Sequence, residues 1–106
     1  MRLAARVDDN QTEIVKALRK AGYSVCILSA VGKGLPDILV GSNGVNVLLE
    51  IKDYRKPRSA RKLTPDEAKW HEAWKGQVTV VCDVYEALTA IYDAVHGKFS
   101  SSTDLP

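Results

Sequence analysis

Two short apolar runs, Ile38 to Val40 and Val45 to Ile51, are interrupted by Ser42-Asn43-Gly44. Asn-Gly between apolar runs is the strongest short-range signal for a β-hairpin, because the tight two-residue turn needs a left-handed backbone at both central positions. Once the turn is placed, the register beyond it is fixed: Ser42 faces Val45, Val40 faces Val47, and Asp37 faces Glu50. Two carboxylates then meet at the open end, with Cβ atoms roughly 4.5–5.5 Å apart, where like charges are destabilising unless a cation lies between them. Side chains alternate along a strand, so Lys52 projects from the same face as Glu50. An Asp, a Glu and a Lys converge.

The rest of the chain sets bounds on what this convergence can mean. With 106 residues and 45% hydrophobic content, one compact domain over 1–97 is expected. Residues 98–106, with three serines, read as a disordered tail. No apolar run approaches the ~18 residues of a membrane span, and the N-terminal stretch lacks the apolar core of a signal peptide, so an intracellular, cytoplasmic protein without membrane contact is expected. Arg2 and Arg6 read as solvated. Cys26 and Cys82 sit in apolar runs without CxxC or His neighbours and are expected to be reduced core residues.

The net charge of +2 is small, but its distribution is uneven. Six of the fifteen basic residues, Lys52, Arg55, Lys56, Arg58, Arg61 and Lys62, fall between positions 52 and 62 against the single acid Asp53. A concentration of cations beside a carboxylate pair is the footprint of a surface that handles nucleic-acid phosphates. Before the hairpin, Ser29 to Pro36 forms a Gly-containing loop without the GxxxxGK[ST] spacing of a phosphate-binding loop, so Gly32 and Gly34 supply flexibility or close backbone approach and Lys33 is a candidate phosphate contact.

Helical spacing of Ile14, Ala17, Leu18 and Ala21 predicts an amphipathic helix over 8–21, stopped by Gly22. There Glu13 either closes a capping box with Asn10 or adds an acid to the hairpin site. Tyr23 to Leu28 reads as a strand. Thr64-Pro65-Asp66-Glu67 predicts a capped helix start, and the helix to about Lys75 is expected to pack Trp70 and Trp74 on the sheet. His71 has no second ligand at a matching spacing, so a zinc role is set aside; His96 reads as a cation at a helix C-terminus. Val78 to Cys82 predicts an interior strand. Asp83 caps a final helix that ends before Gly97. The order α, β, β, β, α, β, α gives an α/β fold with a mixed four-stranded sheet flanked by helices on both sides.

Two carboxylates, Asp37 and Glu50, with the Ile51 carbonyl suit Mg²⁺, a hard cation that takes oxygen ligands and retains waters. Such an ion polarises a phosphate and activates a water, while Lys52 orients that water and offsets developing negative charge. The implied reaction is phosphodiester hydrolysis.

At Pro36-Asp37 and Glu50-Ile51-Lys52 the chain resembles the PD-(D/E)xK nucleases, and its element order is similar to their restriction-endonuclease-like αβββαβ core, here with an additional C-terminal helix. More narrowly it resembles the VRR-NUC (virus-type replication-repair nuclease) family, through Gly34 to Val40 (GLPDILV), Leu49 to Asp53 (LEIKD) and Leu63 to Glu67 (LTPDE). The resemblance implies Mg²⁺- or Mn²⁺-dependent cleavage of DNA, often on branched, flapped or Holliday-junction substrates. It also implies a homodimer like those of small stand-alone phage members. Family members usually carry Gln where this chain has Glu67, so Glu67 is either a further acid at the metal or a capping residue. The other readings are a catalytically inactive nucleic-acid-binding module of the same fold, a RecB-like exonuclease, and a small protein-interaction domain in which the acids pair with Arg or Lys.

Overall fold

A computed structural model describes residues 9–97; the expected tail and the N-terminal arginines lie outside the described residues. In chain order the elements are α1 (Gln11–Lys20), β1 (Ser24–Ile27), β2 (Ile38–Ser42), β3 (Val45–Ile51), a 3₁₀ turn at Arg58–Arg61, α2 (Pro65–Ala73), β4 (Val78–Val81) and α3 (Val84–Val95). The sheet order is β1-β2-β3-β4. β1, β2 and β3 pair antiparallel, and β4 joins β3 in parallel after the α2 crossover. This is the mixed α/β architecture that the element order predicts.

The hairpin turn has Asn43 at φ 53° and Gly44 at φ 77°, the left-handed pair that this tight turn requires. It sets Ser42 opposite Val45, Val40 opposite Val47 and Ile38 opposite Leu49. One step further the ladder is offset: the Asp37 N–H donates to the carbonyl of Leu49, the partner of Ile38, at 3.1 Å, so the regular pairing ends at Ile38.

Alternation along the strands sends Ile38, Val40, Val47, Leu49, Ile51 and Val81 into one core with Ile14, Val15 and Leu18 of α1 and Ala87 and Ile91 of α3. Each such aliphatic side chain contributes ~1.5–3 kcal/mol on full burial, so this face holds the domain together. The opposite face carries Glu50 and Lys52, and α2 covers it at the end of β3.

Several local expectations are corrected. Asn10 makes no cap hydrogen bond to α1. Its buried amide instead donates to the carbonyls of Lys52 (3.2 Å) and Cys82 (2.8 Å), lacing the start of α1 to the ends of β3 and β4. No capping box therefore forms with Glu13. β4 is an edge strand rather than an interior one: it pairs only with β3, and Val80 is 39% exposed. Its apolar run reflects a core on one face and, beside α3, a groove of about 480 Å³ that includes Val78, Val80, Tyr85 and Ala94. An uninterrupted apolar strand does not by itself distinguish these two positions. Cys26 and Cys82 are free, but Cys26 is exposed on the edge strand β1 and Cys82 is only half-buried. The tryptophans of α2 do not pack into the core, since that helix buries no residue and Trp74 is 46% exposed. Among the described residues no helix is long and apolar enough to cross a membrane.

Candidate active site

The site forms where three segments meet: the loop that ends in Pro36-Asp37, the end of β3, and the first turns of α2. Asp37 stands one residue before β2, and its Oδ2 accepts the Ile51 N–H at 2.7 Å. Lys52 N–H goes the other way, to Val81 of β4. Since peptide directions alternate along a strand, the Ile51 carbonyl also faces the Asp37 side.

Glu50 is 1% exposed. Burial, the nearby Asp37 and Glu67 charges and a hydrogen bond shared with Asp37 push its carboxyl up to about 9. Burial also raises Asp37, although the Ile51 N–H and the bond to Glu50 pull against it. One acid of the pair therefore keeps a proton near neutrality, as two close carboxyls do when no cation separates them.

Lys52, itself buried, lies with Nζ 2.7 Å from Glu67 Oε1 and 4.0 Å from Glu50 Oε2. Glu67 is held by its place in α2. Thr64 caps the helix by accepting from the Glu67 N–H, and Glu67 Oε1 accepts the Thr64 N–H at 2.9 Å, so the predicted capping box is present. Burial raises the Glu67 carboxyl, but hydrogen bonds from Lys52 and the Thr64 N–H outweigh it and the net shift is downward. Glu67 is thus a helix cap and an anionic anchor for Lys52 at once.

Gly34 fixes how α2 approaches. Its φ is 82°, and a Cβ there would lie 2.5 Å from the Asp66 carbonyl oxygen. The loop before Asp37 therefore packs its backbone directly on the first turn of α2, and only glycine fits.

His71 was not singled out for this site by its sequence. Its Nε2 lies 3.4 Å from Glu50 Oε1, and with Nε2 protonated it donates there. Burial lowers its pKa, with the Glu67 charge opposing and the Lys52 charge adding to the effect. The usable signal was helical spacing: His71 is four residues beyond Glu67 and shares its face.

The remaining candidates lie at or beyond the rim. Glu13 is exposed on α1, and its charge acts on Arg55 rather than joining the acid pair. The Arg55 guanidinium clasps Asp53 through two 2.9 Å hydrogen bonds and holds that carboxyl down at about 2. Lys33, Lys56, Arg58 and Lys62 are exposed, whereas Arg61 is half-buried against the Cys82 thiol.

Among the described residues no group of three or more His, Cys, Asp or Glu side chains forms a metal cage. Two acids and a carbonyl, all hard oxygen donors on one side of β3, still fit a hard divalent cation that keeps several waters. The close approach of the two carboxyls beside the Ile51 carbonyl favours this fit, because a cation there would offset both burial and the second charge.

Pro-Asp leading one strand, Glu-x-Lys ending its hairpin partner, and a crossover helix supplying the residue that grips the Lys define a nuclease domain of the PD-(D/E)xK type. A solved structure described as a VRR_NUC domain is similar to this chain with a TM-score of 0.59 and 25% sequence identity, over 80% of this chain and 97% of that one. That likeness supports membership of the VRR-NUC family. No family model matches the sequence, and no curated protein matches it.

Proposed function

We propose that this protein is a Mg²⁺- or Mn²⁺-dependent deoxyribonuclease, an endonuclease selective for branched, flapped or Holliday-junction DNA that acts as a homodimer. The observation that carries the reading is the opposed pair Asp37 and Glu50 with Lys52 beside it. A fold with no chemistry to perform gains nothing from setting a buried acid against a second one.

Asp37, Glu50 and the Ile51 carbonyl would hold a divalent cation, which would supply Lewis acidity toward the scissile phosphate and lower the pKa of a water. The chain's own groups do the rest. Asp37 is aimed by the Ile51 N–H, and Glu50 is steadied on one oxygen by His71. Lys52, anchored by Glu67, places its ammonium group beside the acids, where it orients the attacking water and offsets charge developing on the phosphate. Lys56, Arg58 and Lys62 are exposed on the segment that follows, and they supply attraction for the flanking phosphates. The preference for branched DNA and the homodimer follow from the family resemblance, and the open β4 edge beside Tyr85 offers a second copy a surface.

A cleavage panel tests the reading. Flapped, branched, linear and circular DNAs are incubated with Mg²⁺ or Mn²⁺, beside Lys52→Ala. The expected result is cleavage of flapped or branched DNA and of circles, lost in EDTA and reduced at least 100-fold in the variant. Cleavage confined to DNA with ends points to an exonuclease; binding without cleavage in either ion points to an inactive module.

A further inference from the structure

The only tryptophans in the sequence, Trp70 and Trp74, stack on each other with ring centroids 4.6 Å apart and planes 21° from parallel. Large aromatic rings ordinarily go to a core, yet α2 buries no residue and Trp74 is 46% exposed. At 3.6 residues per turn, Glu67, Trp70, His71 and Trp74 fall within about a 100° sector of the helix. The two tryptophans therefore share the side of α2 that carries the groups touching Lys52 and Glu50.

Contacts connect them to the acids. His71 Nε2 is 3.4 Å from Glu50 Oε1, and the Trp70 ring meets the His71 ring edge-on at 6.2 Å between centroids. Trp74 continues the row three residues past His71, about 4.5 Å further along the axis. The Trp74 backbone N–H bonds to the Trp70 carbonyl at the end of α2, and a Cβ at Gly76 would lie 2.9 Å from the indole Nε1, so the following turn runs close to the ring. Lys75 beside it is exposed.

We propose that Trp74, backed by Trp70, is a stacking platform for an unpaired nucleobase next to the scissile phosphate. This rests on the reading of the protein as a DNA nuclease and deepens it. The platform favours substrates in which a base near the cut is free of its stack, such as a flap or a single-stranded tail. A base inside a duplex already has both faces covered, whereas an unpaired base has a π-face to give, and stacking on an aromatic ring tolerates any sequence. The rigid indole pair meets such a base with few side-chain torsions to order, and the surrounding cations favour its phosphates.

The test uses the whole protein in EDTA, so that cleavage does not intervene, with a labelled oligothymidylate and a labelled blunt duplex as probes. Both tryptophans belong to the platform, so indole fluorescence, excited beyond the absorption of the four tyrosines, reports on it. Oligothymidylate is expected to quench the indole emission. By anisotropy, Trp74→Ala is expected to weaken oligothymidylate binding roughly 5- to 150-fold, the equivalent of ~1–3 kcal/mol for one stacked base, while duplex binding stays within about twofold. Trp74→Phe retains most of the affinity. Unchanged binding of the single strand, or equal loss on both DNAs, overturns the platform and leaves the nuclease reading standing. Loss of self-association with both DNAs bound as before also overturns it, assigning the indoles to a second copy of the chain. Failure of the wild type to bind the single strand overturns the platform, while ion-dependent cleavage of DNA judges the nuclease reading separately.

Discussion

Replacing Glu50 with Gln in the metal-free protein is expected to stabilise it, against the usual cost of altering a buried polar group. The carboxyl belongs to a side chain 2% exposed and is pushed from 4.5 to about 9 by burial, by the Asp37 and Glu67 charges and by its bond to Asp37. Because the folded-state value lies above the unfolded one, the unfolded chain gives up this proton first. Stability is unaffected below about pH 4.5, is lost progressively as pH rises toward 9, and then levels off. At pH 8 the interval above 4.5 sets a ceiling of ~5 kcal/mol at 1.36 kcal/mol per pH unit. Rearrangement of Lys52 and entry of water around an ionised Glu50 reduce this, so a gain of about 1–3 kcal/mol is expected for the variant. Gln keeps an oxygen for His71 and removes the titrating group. Urea denaturation in EDTA at pH 4 and pH 8 measures the effect: the variant and wild type should coincide within about 0.5 kcal/mol at pH 4 and separate at pH 8. Adding Mg²⁺ at pH 8 should then stabilise the wild type and not the variant. A variant less stable than the wild type by the same amount at both pH values refutes the reasoning, since it makes Glu50 an ordinary hydrogen-bonding residue.

Two glycines with similar backbone angles should behave differently. Gly44→Ala meets open space and should cost only the ~1–2 kcal/mol of a left-handed alanine, with activity retained. Gly34→Ala should cost more on denaturation and also lower the cleavage rate, because its Cβ displaces the Asp66 end of α2 and with it Glu67 and His71; equal loss in both variants contradicts that packing. Glu67→Gln removes the ion pair to Lys52 but keeps an oxygen for the Thr64 N–H. It should cost about 0.5–1.5 kcal/mol at pH 7 and leave the Mg²⁺ dependence of cleavage unchanged. A tenfold or greater rise in the Mg²⁺ requirement instead makes Glu67 a metal-side acid.

The parts of this fold legible in the sequence are those governed by local rules. Asn43-Gly44 demanded its turn, the turn dictated the register as far as Ile38 and Leu49, and the chain beyond it brings the Asp37 and Glu50 carboxyls together. Thr64-Pro65-Asp66-Glu67 likewise announced a capped helix with chemistry contained in four residues. The expectations that failed concern tertiary placement. Asn10 has the spacing of a helix cap, but its amide is taken by two carbonyls more than forty positions away in the chain. Val78 to Val81 has the composition of a central strand, yet it pairs only with β3 and leaves Val80 exposed along the groove beside α3. Trp70 and Trp74 have the hydrophobicity of core residues, yet they sit on a helix whose partner surface is a polar site. The clasp of the Arg55 guanidinium on Asp53 was equally invisible in the charge pattern.

The central claim is that the acid pair set by the hairpin is a divalent-cation site that drives phosphodiester hydrolysis. Its most direct test is the cleavage rate of a flapped DNA as Mn²⁺ or Mg²⁺ is added to EDTA-treated protein, for the wild type and Asp37→Asn. The account predicts saturable, ion-dependent cleavage by the wild type and a rate at least 100-fold lower in the variant, whose fold is retained. Equal cleavage by both proteins, or cleavage that persists in EDTA, contradicts it.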